Sequence, residues 1–343
     1  PLLMLTDTYP AVAANPPYMG TRRMNADLKK YLKDKYPKSK KNLFGVFMEV
    51  MLDRLVPGGR LGTITMESWM FLSSFEKLRY HLLDNYRIRG LAHFGWGILG
   101  IEFGTAAAIF KNLAPKPSTR AEYSYLEEDG VSSKTGEPYT FPVKDNDRYA
   151  VKDQRDFEKI PGAPIAYWVP EAVITAFEEN ISLDEIGKPR QGLATGDNKR
   201  FLRHWPEVAI SRVGFGYESR ASAQRGGEKW FPYNKGGGYQ KWYGNLEFVV
   251  NWKDDGQEIR NLTGSNGKQR SRPQNTDHYF KEGITWSDVS SGDFACRHSP
   301  GGLIFDVQGS SAFPDEEDLF YMLPLLNSRV VSYTLYVLNP TMH

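Results

Sequence analysis

Leu2-Leu3-Met4-Leu5-Thr6-Asp7-Thr8-Tyr9-Pro10-Ala11-Val12-Ala13-Ala14-Asn15-Pro16-Pro17-Tyr18 is the stretch on which the fold turns. Leu2 to Ala14 reads as a strand that runs straight into Asn15-Pro16-Pro17-Tyr18. Two prolines fix the backbone and remove two N–H groups. The Asn15 amide then projects from a strand end, at the carboxyl edge of a sheet, where α/β ligand sites form. Its oxygen and a neighbouring main-chain carbonyl make two acceptors, which bind an NH2 group and reject groups without two protons. The Tyr18 ring offers a face to a flat base. Asn-Pro also starts turns and Pro-Pro is common in loops, so these four residues gain meaning only from the elements downstream of them.

Helix and strand patterns alternate after Tyr18. Asp27 to Lys41 is a lysine-rich helix and loop. Asn42 suits an N-cap, and Phe44, Phe47, Met48, Met51, Leu52 and Leu55 recur at the spacing of one helix face. Pro57-Gly58-Gly59 is expected to stop that helix. Arg60 to Met66 reads as a strand, Ser73 to Asn85 as a second amphipathic helix, and Ile88 to Phe94 and Thr105 to Phe110 as further strands. Strands alternating with helices predict a doubly wound α/β sheet over residues 1–115. Residues 116–163 read as an acidic connector with a short strand or hairpin at Ala121 to Leu126. Residues 164–343 read as a separate α+β domain, with a helix over Pro170 to Asn180 and β runs at Glu247 to Trp252, Gly283 to Trp286 and Gly302 to Val307.

Composition narrows the class. The chain has 343 residues, 40% apolar and 24% charged, close to a globular average and far from a disordered one. The longest apolar candidate for a membrane span, Leu319 to Leu338, is broken by Pro324, Asn327, Ser328 and Arg329, so no membrane partner is expected. One cysteine excludes an intramolecular disulfide and a multi-cysteine zinc site, and six scattered histidines show no metal spacing, so no metal is expected. A cytoplasmic setting follows from that cysteine usage. The net charge of +2 is a balance: +9 over residues 1–120, −9 over 121–185, +6 over 186–300 and −4 over 301–343. Two basic regions suit a polyanion. The start at Pro1 and the abrupt end after Leu338-Asn339-Pro340-Thr341 make an internal piece of a longer protein the expectation.

Asn15-Pro16-Pro17-Tyr18, the helix and strands after it, and the run Gly104-Thr105-Ala106-Ala107-Ala108-Ile109-Phe110 resemble the N6-adenine DNA methyltransferases that use S-adenosylmethionine. Gly192-Leu193-Ala194-Thr195-Gly196-Asp197-Asn198, Lys241-Trp242-Tyr243-Gly244, Gly283-Ile284-Thr285-Trp286-Ser287 and Leu338-Asn339-Pro340-Thr341 look like the BREX PglX-type and type IIG restriction-modification methyltransferases. The resemblance covers nearly the whole chain. It implies a partial Rossmann-like class I methyltransferase sheet followed by an α+β target-recognition domain. It also implies adenine N6-methylation of double-stranded DNA in phage defence or restriction-modification, with other defence proteins as further partners. The flipped adenine would give its amino hydrogens to the Asn15 side chain and the Pro16 carbonyl, with Pro17 fixing the turn and Tyr18 stacking. A second aromatic would cover the other face, from Trp96, Phe94 or Phe103, with Trp96 preferred. The family's cofactor loop precedes the motif, so it is missing from this chain. Gly95-Trp96-Gly97-Ile98-Leu99-Gly100 matches a dinucleotide pattern but no helix is expected after it. The piece alone is therefore expected to be inactive.

Basic residues interleaved with aromatics fill 186–300, a pattern that can contact phosphates and stack on bases. Thr195, Asn198, Lys199, Arg200, Lys241, Arg270 and Arg272 are the expected DNA contacts. Two rival readings stay open. One is a methyltransferase-like module that binds DNA without activity. The other is an enzyme of the same motif acting on protein glutamine or RNA guanine.

Overall fold

The computed structural model describes residues 6–338 apart from 96, 128, 129, 133, 136 and 289–293. Within it, β1 (Tyr9–Ala14) is the strand that carries Asn15. It pairs in parallel with β2 (Leu55–Met66), Ala14 opposite Thr63. Between them run α1 (Ala26–Lys35) and α2 (Leu43–Leu52). The Asn42 side chain accepts from the Phe44 N–H, the cap its position suggested; such a cap contributes about 1 kcal/mol. After β2 come α3 (Glu76–Asn85), β3 (Arg87–Phe94), β4 (Thr105–Lys111), β5 (Arg120–Leu126), β6 (Tyr149–Asp153) and α4 (Glu171–Glu179).

These strands form one six-stranded sheet of order β1-β2-β4-β3-β5-β6. β3 is parallel to β5, whereas β4 lies antiparallel between β2 and β3, and β6 antiparallel to β5. Side chains alternate across a strand, and β2 shows it. Leu61, Thr63 and Thr65 are buried, while Gly62, Ile64 and Met66 are half-buried. Phe44, Met48 and Leu52 of α2 and Leu78, Leu82 and Leu83 of α3 pack with Leu61, Ile88, Leu91, Ala106, Ala108 and Phe110 in one core. Ala13, Gly62, Ile64, Ala107 and Ile109 line an open groove of about 550 Å³ that reaches Asn15.

Two expectations are corrected. Pro57-Gly58-Gly59 does not end the helix, which stops at Leu52; the three residues lie inside β2. The register there slips from Tyr9–Leu55 to Ala11–Arg60. Gly58 sits at φ +81, and a Cβ on Gly59 would press on the Tyr9 and Pro10 carbonyls at 3.1 Å. Glycine thus permits a bulge at a close strand crossing. Second, the sheet does not end near 115. β5 and β6 draw both ends of the acidic connector into it.

Contacts divide the chain into two units. Among the described residues, the first runs to Asn180 and is joined by residues 335–338; the second is Ile181–Thr334. The second unit contains β7 (Leu202–His204), β8 (Trp230–Asn234), β9 (Phe248–Asn251), β10 (Gly283–Trp286), β11 (Cys296–Ser299), β12 (Ile304–Phe305) and β13 (Ser311–Ala312). They form two small sheets, β12-β8-β9-β7 and β11-β10-β13. Phe201, Phe231, Tyr233, Trp252, Ile259, Tyr279, Phe280 and Phe305 make its core, so many of the region's aromatics are spent on packing. Among the described residues, no helix is long and apolar enough to cross a membrane, and no three His, Cys, Asp or Glu side chains come together as a metal site.

Candidate active site

Asn15 follows the last residue of β1, at the end of the sheet where β2 also terminates. Its side chain is exposed, Pro16 is buried and Tyr18 half-buried. The turn is pinned to the start of α2: the Leu43 N–H donates to the Met19 carbonyl at 3.0 Å and the Thr21 N–H to Lys41 at 3.2 Å. The Tyr18 hydroxyl lies 3.2 Å from Asn15 Oδ1 and 3.4 Å from the Ile64 carbonyl, both acceptors for its one proton. Donation to Oδ1 fixes which way the amide faces and leaves that oxygen a second lone pair. Burial raises the Tyr18 pKa, so the phenol stays neutral and remains a donor.

Three rings converge here. Tyr18 meets Phe44 edge-on at 6.2 Å and Phe103 edge-on at 5.6 Å. Phe44 is fully buried and serves as the anchor, whereas Phe103, on the loop before β4, is half-buried. Of the described aromatics named for the second face of a base, Phe94 and Phe103, it is Phe103 that lies beside Tyr18. Phe94 is 5% exposed in a core with Ala92, Ile98, Leu126 and Val131 and has no face to offer. Trp96 lies outside the described residues. Gly95 to Gly100 opens no α-helix; a short 3-10 turn at Ile98–Gly100 leads on to β4. It presents no helix N-terminus to an anion, so this run does not fit a cofactor-binding loop.

Sequence reasoning missed a second group at the same sheet end. Glu67 directly follows β2, and His93 is the penultimate residue of β3. His93 Nε2 lies 2.5 Å from Glu67 Oε2, and its Nδ1 is 3.2 Å from the Tyr167 hydroxyl and 3.4 Å from Arg148 Nη2. The guanidinium of Arg148 lies between the rings of Tyr125 and Trp168, 4.0 and 4.4 Å from their centres. Burial lowers the His93 pKa; the Glu67 hydrogen bond opposes that and Arg148 reinforces it. The ring is 2% exposed and therefore neutral, with its proton on Nε2, since only Nδ1 faces donors. Residues 67, 93, 148 and 167 are too far apart in sequence for any local spacing to reveal the cluster.

In the second unit, the structure gathers most of the expected DNA contacts. Ala194 and Arg272 exchange backbone hydrogen bonds of 3.1 and 2.8 Å, and Arg270 donates to the Gly196 carbonyl at 3.0 Å. Asn198, Lys199, Arg200, Arg270 and Arg272 thus stand exposed around one turn. Arg200 also pairs with Glu258 at 3.3 Å. Thr195 is 3% exposed and donates to Asn198 Oδ1 at 2.5 Å, so its side chain braces the turn and cannot reach a phosphate. Lys241 donates to the Asn327 carbonyl at 2.9 Å and makes no hydrogen bond or ion pair with the others.

A β1-β2-β4-β3 sheet with Asn-Pro-Pro-Tyr at the carboxyl end of β1 has the fold of class I S-adenosylmethionine-dependent methyltransferases. The Eco57I restriction-modification methylase family matches residues 4–97. The type IIL restriction-modification enzyme MmeI, solved in complex with DNA, superposes with a TM-score of 0.53 at 15% identity over 95% of this chain and 43% of that one. The adenine-specific methyltransferase PglX of Lacticaseibacillus casei (strain Zhang) is 37% identical over 98% of the chain. The adenine-specific methyltransferase BrxX of Escherichia coli O9:H4 (strain HS) is 37% identical over 99%. Over nearly its whole length, then, the chain is a homologue of the PglX and BrxX adenine-specific methyltransferases. It spans just over a quarter of their length, 28% and 27%.

Proposed function

We propose that this chain carries the amino-group-activating half of a DNA adenine N6-methyltransferase, together with the region that recognises its target. The observation that carries this is the exposed Asn15 amide beside the Pro16 carbonyl at the end of β1, with the Tyr18 and Phe103 rings alongside. A flipped adenine would place its amino group between the two oxygens. Pro17 holds the turn and Tyr18 stacks on one face of the base, while Phe103, edge-on to Tyr18 at 5.6 Å, borders that site. The adenine nitrogen is a weak nucleophile because its lone pair is delocalised into the ring. Two acceptors that bind its hydrogens draw the lone pair back onto nitrogen. S-adenosylmethionine supplies an electrophilic methyl group in such a reaction. Gly95 to Gly100 does not fit the role of its binding loop, so residues outside this chain would complete the cofactor site, and the segment alone would bind it weakly and transfer nothing.

The second unit would be the target-recognition domain, contacting duplex DNA through Asn198, Lys199, Arg200, Arg270 and Arg272. A role in phage defence alongside other proteins fits the PglX and BrxX likeness. The test is methyl transfer to unmethylated duplex DNA by the intact protein. Transfer to adenine that disappears in Asn15→Ala, with DNA binding retained, supports the reading. DNA binding without transfer by the wild type would instead make this a binding module. Transfer to protein glutamine or RNA guanine would move the substrate.

A further inference from the structure

Residues 22–41 leave the Asn15 turn and come back to it. Gly20 bridges to Asn42, the Thr21 N–H donates to the Lys41 carbonyl at 3.2 Å, and the Leu43 N–H donates to the Met19 carbonyl at 3.0 Å. Both ends of the excursion are therefore fastened beside the turn that ends in Tyr18. Between them lie nine lysines and arginines and two carboxylates, Asp27 and Asp34, a net charge of +7 in 20 residues. Arg22, Lys29, Lys30 and most of the other cations are exposed. Among the described residues, the one ion pair these cations make is Lys38 with Glu49, at 3.9 Å.

The segment is seated on the first unit. The Asn25 side chain accepts from the Leu28 N–H at 2.8 Å and caps α1. Leu32 packs with Met24 and Val46 in a small core, with Leu28 and Tyr36 against it. Leu28 and Leu32, four apart, fix the inner face of α1, and Lys30 and Lys33 stand on the outer one. Local structure accounts for only part of this charge. The helix dipole favours Lys33 and Lys35 in the last turn but opposes Lys29 near the first. Lys29 and Lys33, also four apart, repel each other. The excess therefore weakens the helix and calls for an anion outside the chain. The ten residues of α1 span about 15 Å, a length over which one strand of duplex DNA carries about four phosphates. A base presented to Asn15 keeps its own backbone beside this turn, so the phosphates flanking it pass next to the segment fastened there.

Building on the DNA reading above, we propose that residues 22–41 form a phosphate-binding ledge that holds the backbone of duplex DNA next to the Asn15 turn. Arg22, Lys29 and Lys30 contact phosphate oxygens, which positions the duplex without reading its sequence.

The experiment uses the intact protein and a fluorescent DNA duplex, with affinity measured from about 0.05 to 0.3 M salt. Arg22→Gln/Lys29→Gln/Lys30→Gln removes three cations from the ledge, and Arg22→Lys/Lys29→Arg/Lys30→Arg keeps them. Arg89→Gln/Lys116→Gln/Arg120→Gln removes the same charge from exposed residues at the other end of the sheet. Each phosphate contact contributes about 0.9 to the slope of log affinity against log salt. The first variant should therefore flatten that slope by about 2–3 and lose at least about tenfold in affinity at about 0.1 M salt, with melting unchanged or slightly raised. Fields fade within about 10 Å at that salt, so the other two variants should stay within about threefold of wild type. Acetylation of Lys29 and Lys30 in the wild type, read by mass spectrometry, should slow when DNA is added. A wild type that binds DNA no better than the first variant, or a far-end variant that loses as much, overturns this assignment alone. So does acetylation that DNA leaves unchanged. The same losses on duplex RNA and not on DNA would move the surface to another partner and overturn it as well. A wild type that does not bind duplex DNA overturns the DNA reading and the assignment with it.

Discussion

Arg79 offers a test of what holds the segment after β2 in place. It is 1% exposed on α3 and has no carboxylate against its guanidinium among the described residues. Nε and Nη2 both donate to the Gly162 carbonyl, at 2.9 and 2.6 Å. Nη1 donates to the Trp69 and Leu72 carbonyls, at 2.9 and 2.7 Å. One planar fork thus ties the turn that follows Glu67 to a loop 83 residues beyond Arg79. Burial holds the pKa near 10 against an ordinary 12.5, which is roughly 3 kcal/mol against the charged form. Two substitutions separate geometry from charge. Arg79→Met removes the cation and its burial cost but strands the Trp69 and Gly162 carbonyls; Leu72 keeps the Phe75 N–H at 3.0 Å. Two stranded acceptors cost about 1–3 kcal/mol each, and the recovered desolvation offsets part, leaving about 1–3 kcal/mol. Arg79→Lys keeps a buried cation but has one ammonium for three carbonyls in two directions. It loses at least two charge-assisted bonds, about 1.5–3 kcal/mol each, with nothing recovered. The conservative change should therefore be the worse one, by about 1–3 kcal/mol in urea titration and by several degrees in melting temperature. A lysine variant as stable as wild type, or more stable than the methionine variant, refutes the argument that the fork's geometry is what matters.

Three more outcomes concern the second unit. A Cβ on Gly192 would sit 1.9 Å from the Phe305 carbonyl oxygen, which is also the acceptor for the Leu193 N–H. Backbone cannot yield there without losing the β12 contact, so Gly192→Ala should cost about 2–3 kcal/mol, visible as early melting of this unit. Asp255 sits among three left-handed residues, Asp254, Asp255 and Gly256, at φ 52, 56 and 75, and pairs with Arg220 and Arg260. Burial alone would raise its pKa, but the two arginines lower it overall. A depressed folded value means that its contribution is complete above the unfolded pKa of about 3.9 and fades as pH falls through the folded one. Asp255→Asn should cost about 1–3 kcal/mol near pH 7 and flatten the stability loss below about pH 4; an unchanged acid slope would count against the pairing. Burial pushes the Cys296 thiol up to about 12. At pH 8 the thiolate fraction is then roughly one in ten thousand, so a disulfide reagent should find no native thiol and about one equivalent after guanidinium is added.

The parts of the fold legible in the sequence were those specified by neighbours in the chain. Asn42 and the apolar face of α2 lie within one helix, and Asn15 to Tyr18 lies within one turn. The bulge at Pro57-Gly58-Gly59 was not legible, because its cause is the approach of Tyr9 and Pro10 on another strand. The same holds for β5 and β6, whose acidic, turn-rich surroundings hide strands that need β3 to pair with.

The site divides along the same line, and the division bears on which of its residues to test. A glycine-flanked aromatic such as Trp96, which lies outside the described residues, suits a pocket when only the chain is considered. Phe103 owes its place to long-range packing: it reaches Tyr18 because Gly104 leaves room for Glu67, and Glu67 is held by a histidine 26 residues away. Each link removes freedom from the next, so the ring beside Tyr18 is held in place by packing. Gly104 is then the place where one substitution would move the Phe103 ring away from Tyr18. A methyl group there displaces the carboxylate and the loop together while leaving Asn15, Pro16 and Tyr18 in place.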